Sequence, residues 1–213
     1  MNTETRKKIP FEQVDTATLR QALSHYASPD DKIGDMVRRG EIVRLRRGLY
    51  AISPAYRNAP LSLEILANTL YGPSYLSLEY ALSYYGVIPE RTVELTSVCL
   101  GRSRRFETPV GIFSYCSIKK TAYADGFDLV LLSDGRSYLM AWPEKALVDW
   151  IVNRRTSVFS EKEMGERLLE DMRMDESTLL GLDRKRIEMF ANRYASGRAK
   201  LLARFLKKMS GGR

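Results

Sequence analysis

The chain has 213 residues, 44% of them hydrophobic, enough for one sizeable buried core and a small second one. No apolar run approaches the roughly 20 residues of a membrane-spanning helix, and the opening "MNTETRKKIPFEQ" is polar with no signal-peptide core, so a cytoplasmic protein without a membrane partner is expected. The net charge of +8 is uneven: ten Lys/Arg face seven Asp/Glu over residues 1–56, nine face ten over 57–150, and fifteen face nine over 151–213. A chain basic at both ends favours a polyanionic partner.

The first helix is predicted over "VDTATLRQALSH", with Leu19, Ala22 and Leu23 facing inward. The only histidine, His25, lies near its end and reads as a packed or surface residue, since no second histidine exists to share a metal. The second helix, "SPDDKIGDMVRRG", carries a signal at each end. Ser28 can cap it, Pro29 fits the first helical position, Asp31 stands where a capping box needs it, and Gly40 closes it. Ile33, Met36 and Val37 form the inward stripe, which leaves Lys32, Asp35 and Arg39 outward beside Arg38.

"EIVRL" and "GLYAI" then read as two short strands joined through Arg46, Arg47 and Gly48 in a tight hairpin. Helix, turn, helix, hairpin is the order of a winged helix-turn-helix, whose second helix lies in a major groove about 12 Å wide while the hairpin reaches the backbone. The expected DNA-contacting residues are Lys32, Asp35, Arg38 and Arg39 of the helix, Arg44, Arg46 and Arg47 of the hairpin, and a basic arm formed by Arg6, Lys7 and Lys8. The competing reading is a solvated rim or a protein-binding helix-turn-helix. Asp30, Asp31 and Asp35 stand out on a helix meant for DNA. Capping accounts for the first two, whereas Asp35 either repels phosphate or accepts from a cytosine amino group.

A domain boundary is expected near "SPAYRNAP", which divides the chain into 1–56 and 57–213. Two core helices follow, "PLSLEILANTLYG" and "LSLEYALSYYG", and then four β-type runs, "TVELTSVCL", "GIFSYCSI", "FDLVLLS" and "RSYLMA". Arg102, Arg104 and Arg105 sit between the first two runs in "GRSRRFETPV", read as a basic loop, either a binding projection or a cover for a sheet edge. A helix starts at Pro143, another opens with a capping box from Ser160 to Glu163, and a long basic amphipathic helix runs from about Arg184 to Met209 with a kink at Gly197. The fold class expected is therefore α+β: a winged helix-turn-helix followed by a larger domain with a small sheet and flanking helices.

Cys99 and Cys116 lack the paired spacing of a zinc or redox site and read as packing residues. No phosphate-binding glycine loop, dinucleotide fingerprint, zinc-protease helix or nucleophile elbow occurs. The chain is therefore expected not to be an enzyme, with no catalytic residue, metal or cofactor. The weaker alternative is carboxylate chemistry with Mg²⁺ through acids such as Asp128 and Glu144.

Three blocks, "YLSLEYALSYYGVIPE", "GRSRRFETPVGIFSYCSI" and "MAWPEKALVDWI", in this order after "VRRGEIVRLRRGLYAI", resemble the AbiEi-type antitoxin family of bacterial type IV toxin–antitoxin and abortive-infection (phage-defence) systems. The resemblance implies a repressor that binds inverted repeats in the operator DNA of its own operon. It also implies an antitoxin that counters a nucleotidyltransferase-type toxin without forming a stable complex. The residues implied for a basic antitoxin face are Arg102, Arg104, Arg105, Arg193, Arg204, Lys207 and Lys208. The alternative is an interaction module that binds an acidic toxin directly through that face.

Overall fold

The structure is a computed structural model that describes residues 1–154 and 158–211. The chain forms two compact units, Met1–Leu66 with Glu107–Gly111, and Ala67–Phe106 with Ile112–Arg213. The architecture is mixed α and β, with a three-stranded sheet in the first unit and a six-stranded sheet formed by the later strands. Among the described residues no helix is long and apolar enough to cross a membrane.

The first unit runs α1 (Thr3–Lys7), β1 (Gln13–Asp15), α2 (Thr16–Ala22), α3 (Pro29–Arg38), β2 (Ile42–Arg46) and β3 (Leu49–Ile52). Helix, turn, helix and hairpin thus occur in the expected order. β3 is the middle strand, antiparallel to β1 on one side and β2 on the other. Ile9, Val14, Leu19, Leu23, Ile33, Met36, Ile42 and Ile52 form one core beneath the two helices. The inward stripe of α3 falls as its spacing predicts, with Ile33 and Met36 buried and Val37 half-buried. Gly40 and Gly48 take φ of +67° and +83°, the left-handed conformation that ends a helix and turns a hairpin without a Cβ clash.

Two expectations are corrected in this unit. Ser28 makes no side-chain capping bond to α3, whereas α2 is capped by Asp15, which accepts from the Thr18 amide at 2.7 Å. Arg6 belongs to no free arm. It lies in α1, 8% exposed, and its guanidinium donates to the Ile9 carbonyl at 2.6 Å, the Tyr56 carbonyl at 2.8 Å and Glu12 Oε1 at 2.5 Å. Glu12, equally buried, also accepts from the amides of Asn58 and Ala59. A buried carboxylate needs such partners, and Arg6 supplies the charge that neutralises it. Lys7 and Lys8 remain exposed.

The later elements are α4 (Leu63–Leu70), β4 (Ser74–Leu76), α5 (Leu78–Tyr84), β5 (Leu95–Cys99), β6 (Arg104–Thr108), β7 (Gly111–Ser117), α6 (Lys120–Tyr123), β8 (Phe127–Leu131), β9 (Ser137–Ala141), α7 (Pro143–Asn153), α8 (Glu161–Gly165), a π-helical turn (Glu166–Asp171), α9 (Glu176–Gly181), α10 (Arg184–Tyr194) and α11 (Gly197–Gly211). β4 lies between β5, antiparallel to it, and β9, parallel to it; β5 and β7 are parallel. α7 is buried on every face from Glu144 to Ile151, packed among α5, α10 and α11.

The basic loop expected at 101–110 is in large part strand β6 at the edge of the sheet, where the consecutive Arg104 and Arg105 keep the open edge charged. The long C-terminal helix is two helices packed on each other. The break falls at Ala195, φ +49°, which turns the chain before Gly197. The capping box Ser160–Glu163 is formed in full.

Candidate nucleic-acid interface

The hairpin presents its arginines because of one irregularity. Arg44 pairs with Tyr50 but Arg46 pairs with Leu49, so Leu45 is an extra residue in β2. Leu45 turns inward at 7% exposure while Arg44 and Arg46 on either side, and Arg47 at the tip, stay exposed. The Gly48 carbonyl accepts from the Thr16 amide at 3.1 Å, tying the tip to the start of α2. The charge thus sits on a braced projection. Arg46 further donates to the Arg47 carbonyl at 3.2 Å.

Two of the three aspartates of α3 are occupied. Asp30 takes both Nε and Nη2 of Arg20, from α2, at 2.8 and 3.0 Å, and Asp35 takes Nη2 of Arg38 within the same helix. Both arginines nevertheless remain accessible, with side chains 58% and 75% exposed. The Arg20 hydrogen bonds hold the Asp30 carboxyl below its ordinary value, and the same contact raises Arg20. Lys32 lies 5.1 Å above the Tyr26 ring, and Arg39 is exposed at the C-cap.

A groove of about 470 Å³ opens between α3 and the hairpin. Ile33, Gly34 and Val37 form its α3 wall, Arg44, Arg47, Gly48 and Tyr50 its hairpin wall, and Thr16, Arg20 and Asp30 its end. Beyond the neighbouring residues and backbone of α3 itself, no atom lies within 4 Å of where a Cβ on Gly34 would stand, so the helix is open to approach there. The structure therefore brings Arg44 and Arg47 to one concavity with Arg20, which sequence reasoning missed. Its signal was present as an arginine ten residues before Asp30, but α2 and α3 must be packed before the two meet.

The other candidate cations occupy two places in the second unit. Arg102 is exposed just before β6; Arg104 covers the Tyr71 ring at 5.6 Å, and Arg105 Nε binds Glu94 Oε1 at 3.1 Å. On the helical pair, Arg193 is ion-paired with Asp125 and Lys208 lies 3.5 Å from Glu161. Arg204 and Lys207 join Lys200 and Glu188 around a shallow groove of about 260 Å³ between α10 and α11.

A second feature missed from the sequence is a buried polar cluster. Lys145 and Asp149, one turn apart on α7 and inaccessible to solvent, are ion-paired. Asp149 also accepts from Tyr194 at 2.5 Å, Ser77 at 2.7 Å and Tyr75 at 3.2 Å. Burial depresses the Lys145 ammonium even against the opposing pull of Asp149, and burial raises the Tyr75 and Tyr194 hydroxyls. The carboxylate is fully partnered inside the core, which is the arrangement of a structural network.

Cys99 is buried in β5 and Cys116 half-buried in β7, with burial raising both thiols. Among the described residues no group of His, Cys, Asp and Glu is placed to hold a metal. No curated protein matches the chain. Residues 11–53, which contain β1, α2, α3 and the arginine hairpin, match the model of the family described as transcriptional regulator, AbiEi antitoxin.

Proposed function

We propose that the chain is a DNA-binding autorepressor and antitoxin, divided functionally at 1–56 and 57–213. In this reading the N-terminal segment is a winged helix-turn-helix that binds operator DNA with inverted repeats. The C-terminal domain counters a nucleotidyltransferase-type toxin of a type IV abortive-infection system without forming a stable complex. The observation that carries the DNA reading is the braced hairpin with Arg44, Arg46 and Arg47 exposed beside α3, within the residues that match a transcriptional-regulator family. The candidate contacts are these three with Lys7, Lys8, Lys32, Arg38 and Arg39. Asp35 is reassigned from base contact to its arginine partner. The protein acts in the cytoplasm, without catalysis or a cofactor.

The test is binding of the purified chain to the DNA immediately upstream of its own gene, against a scrambled duplex, at two salt concentrations. Native preference that survives the higher salt supports a repressor. Replacing Arg44, Arg46 and Arg47 by alanine lowers the log–log salt slope by up to about 2.7, since each phosphate contact contributes about 0.9. An unchanged slope overturns the hairpin's role.

A second reading is favoured by the groove where Lys200, Arg204 and Lys207 converge: direct docking of an acidic toxin onto α10 and α11. Co-purification with the neighbouring gene product separates the two, because only direct docking retains a partner.

A further inference from the structure

Resting on the DNA-binding reading, we propose that Arg20 is a phosphate-binding residue of the interface, and that Asp30 and Asp35 are positioning residues that aim Arg20 and Arg38 at the DNA backbone. The first-turn position of Asp30 suits the helix dipole, but a carboxylate on a DNA-facing helix repels phosphate, and Asp35 has no such position. Asp30 grips the Nε, Nη2 edge of Arg20. That leaves three N–H groups free of the carboxylate, two on Nη1 and one on Nη2, and the parallel pair with one from each nitrogen suits a phosphate. Arg20 lines the same groove as Arg44 and Arg47, so cations from α2 and from the hairpin flank the open stretch of helix at Gly34. Asp35 holds Arg38 by Nη2 alone, and Arg38 keeps its other donors. The acids of α3 thus hold long side chains in one geometry before DNA arrives, which lowers the ordering cost of binding.

The experiment exploits opposite signs. Asp30→Asn removes a negative charge. Were Asp30 only repulsive, operator affinity would rise. As a positioning residue its loss weakens binding by about two- to fivefold, the range an exposed ion pair supports, and Asp30→Glu, which keeps the carboxylate, restores it. Arg20→Ala lowers the salt slope by about 0.9, and in that background, where Asp30 has lost its partner, Asp30→Asn no longer weakens binding. Tighter binding by Asp30→Asn, or an unchanged slope in Arg20→Ala, overturns the inference. Urea midpoints of each variant establish that the protein under test is folded. The wild-type chain on the upstream and scrambled duplexes, run alongside, separates the two failures. If it binds neither duplex the DNA reading itself fails, and the inference with it; if it binds while Asp30→Asn tightens, only the inference fails.

Discussion

Replacing Gly34 by alanine adds one methyl group to the middle of α3, at a position where no atom beyond the neighbouring residues and backbone of the helix itself lies within 4 Å of the new Cβ. The helix interior prefers alanine to glycine by about 1 kcal/mol, through the backbone freedom that glycine loses on folding. Because the methyl meets nothing, none of that gain is lost to repacking. For a chain of 213 residues this raises the melting temperature by about 2–4 °C. The same methyl protrudes into the groove between α3 and the hairpin, where the proposed duplex contact occurs. Gly34→Ala therefore separates the two properties: denaturation monitored by circular dichroism moves up while operator affinity, read by fluorescence anisotropy, falls. A stability equal to or below wild type refutes the open-space argument. A raised stability with unchanged affinity refutes the placement of DNA against this stretch of α3.

Arg6→Ala strands the buried Glu12 carboxylate and costs about 3–5 kcal/mol, whereas Lys7→Ala and Lys8→Ala stay within about 0.5 kcal/mol, measured by urea denaturation. A mild Arg6→Ala would return this residue to the DNA-binding arm. In the second unit, Asp149→Ala leaves the Lys145 ammonium buried without its partner and costs about 3–5 kcal/mol in the same assay; a loss below about 1 kcal/mol would contradict the network. Asp15, whose carboxyl is held below its ordinary 3.8 chiefly by the Thr18 amide, stabilises α2 above that pH, and this contribution is lost as pH falls through the depressed folded value. Asp15→Ala thus costs about 0.5–2 kcal/mol at pH 7, and the gap to wild type closes in acid; a gap that is constant from pH 7 to pH 2 refutes the capping role.

Much of the first unit was legible in the sequence because its signals are local. Pro29 and Gly40 mark the ends of α3, Ile33 and Met36 its inward face, and Arg46, Arg47 and Gly48 the hairpin turn, each set by the backbone preferences of a few neighbouring residues. Capping was partly misread: Ser28 and Asp31 have the spacing of a cap, but Asp15 caps the preceding helix instead. In the second unit, Pro143 and Ser160 likewise began helices where expected. β4 and β6 escaped because strand identity depends on partners: three buried residues without alternation look like the start of a helix, and "RRFET" looks like a loop until β7 lies beside it.

Residue types, charge distribution and local periodicity determined which segments are helix or hairpin and that a cluster of exposed arginines follows α3. Only the tertiary structure decided what each charge does. Arg6 becomes an internal counter-ion and Arg20 a member of the groove, while Asp30 and Asp35 hold arginines and Lys145 is sealed inside the second unit. An ion's role is set by its distance to an opposite charge and by the water excluded around it, and both arise from contacts between segments that sequence spacing does not encode.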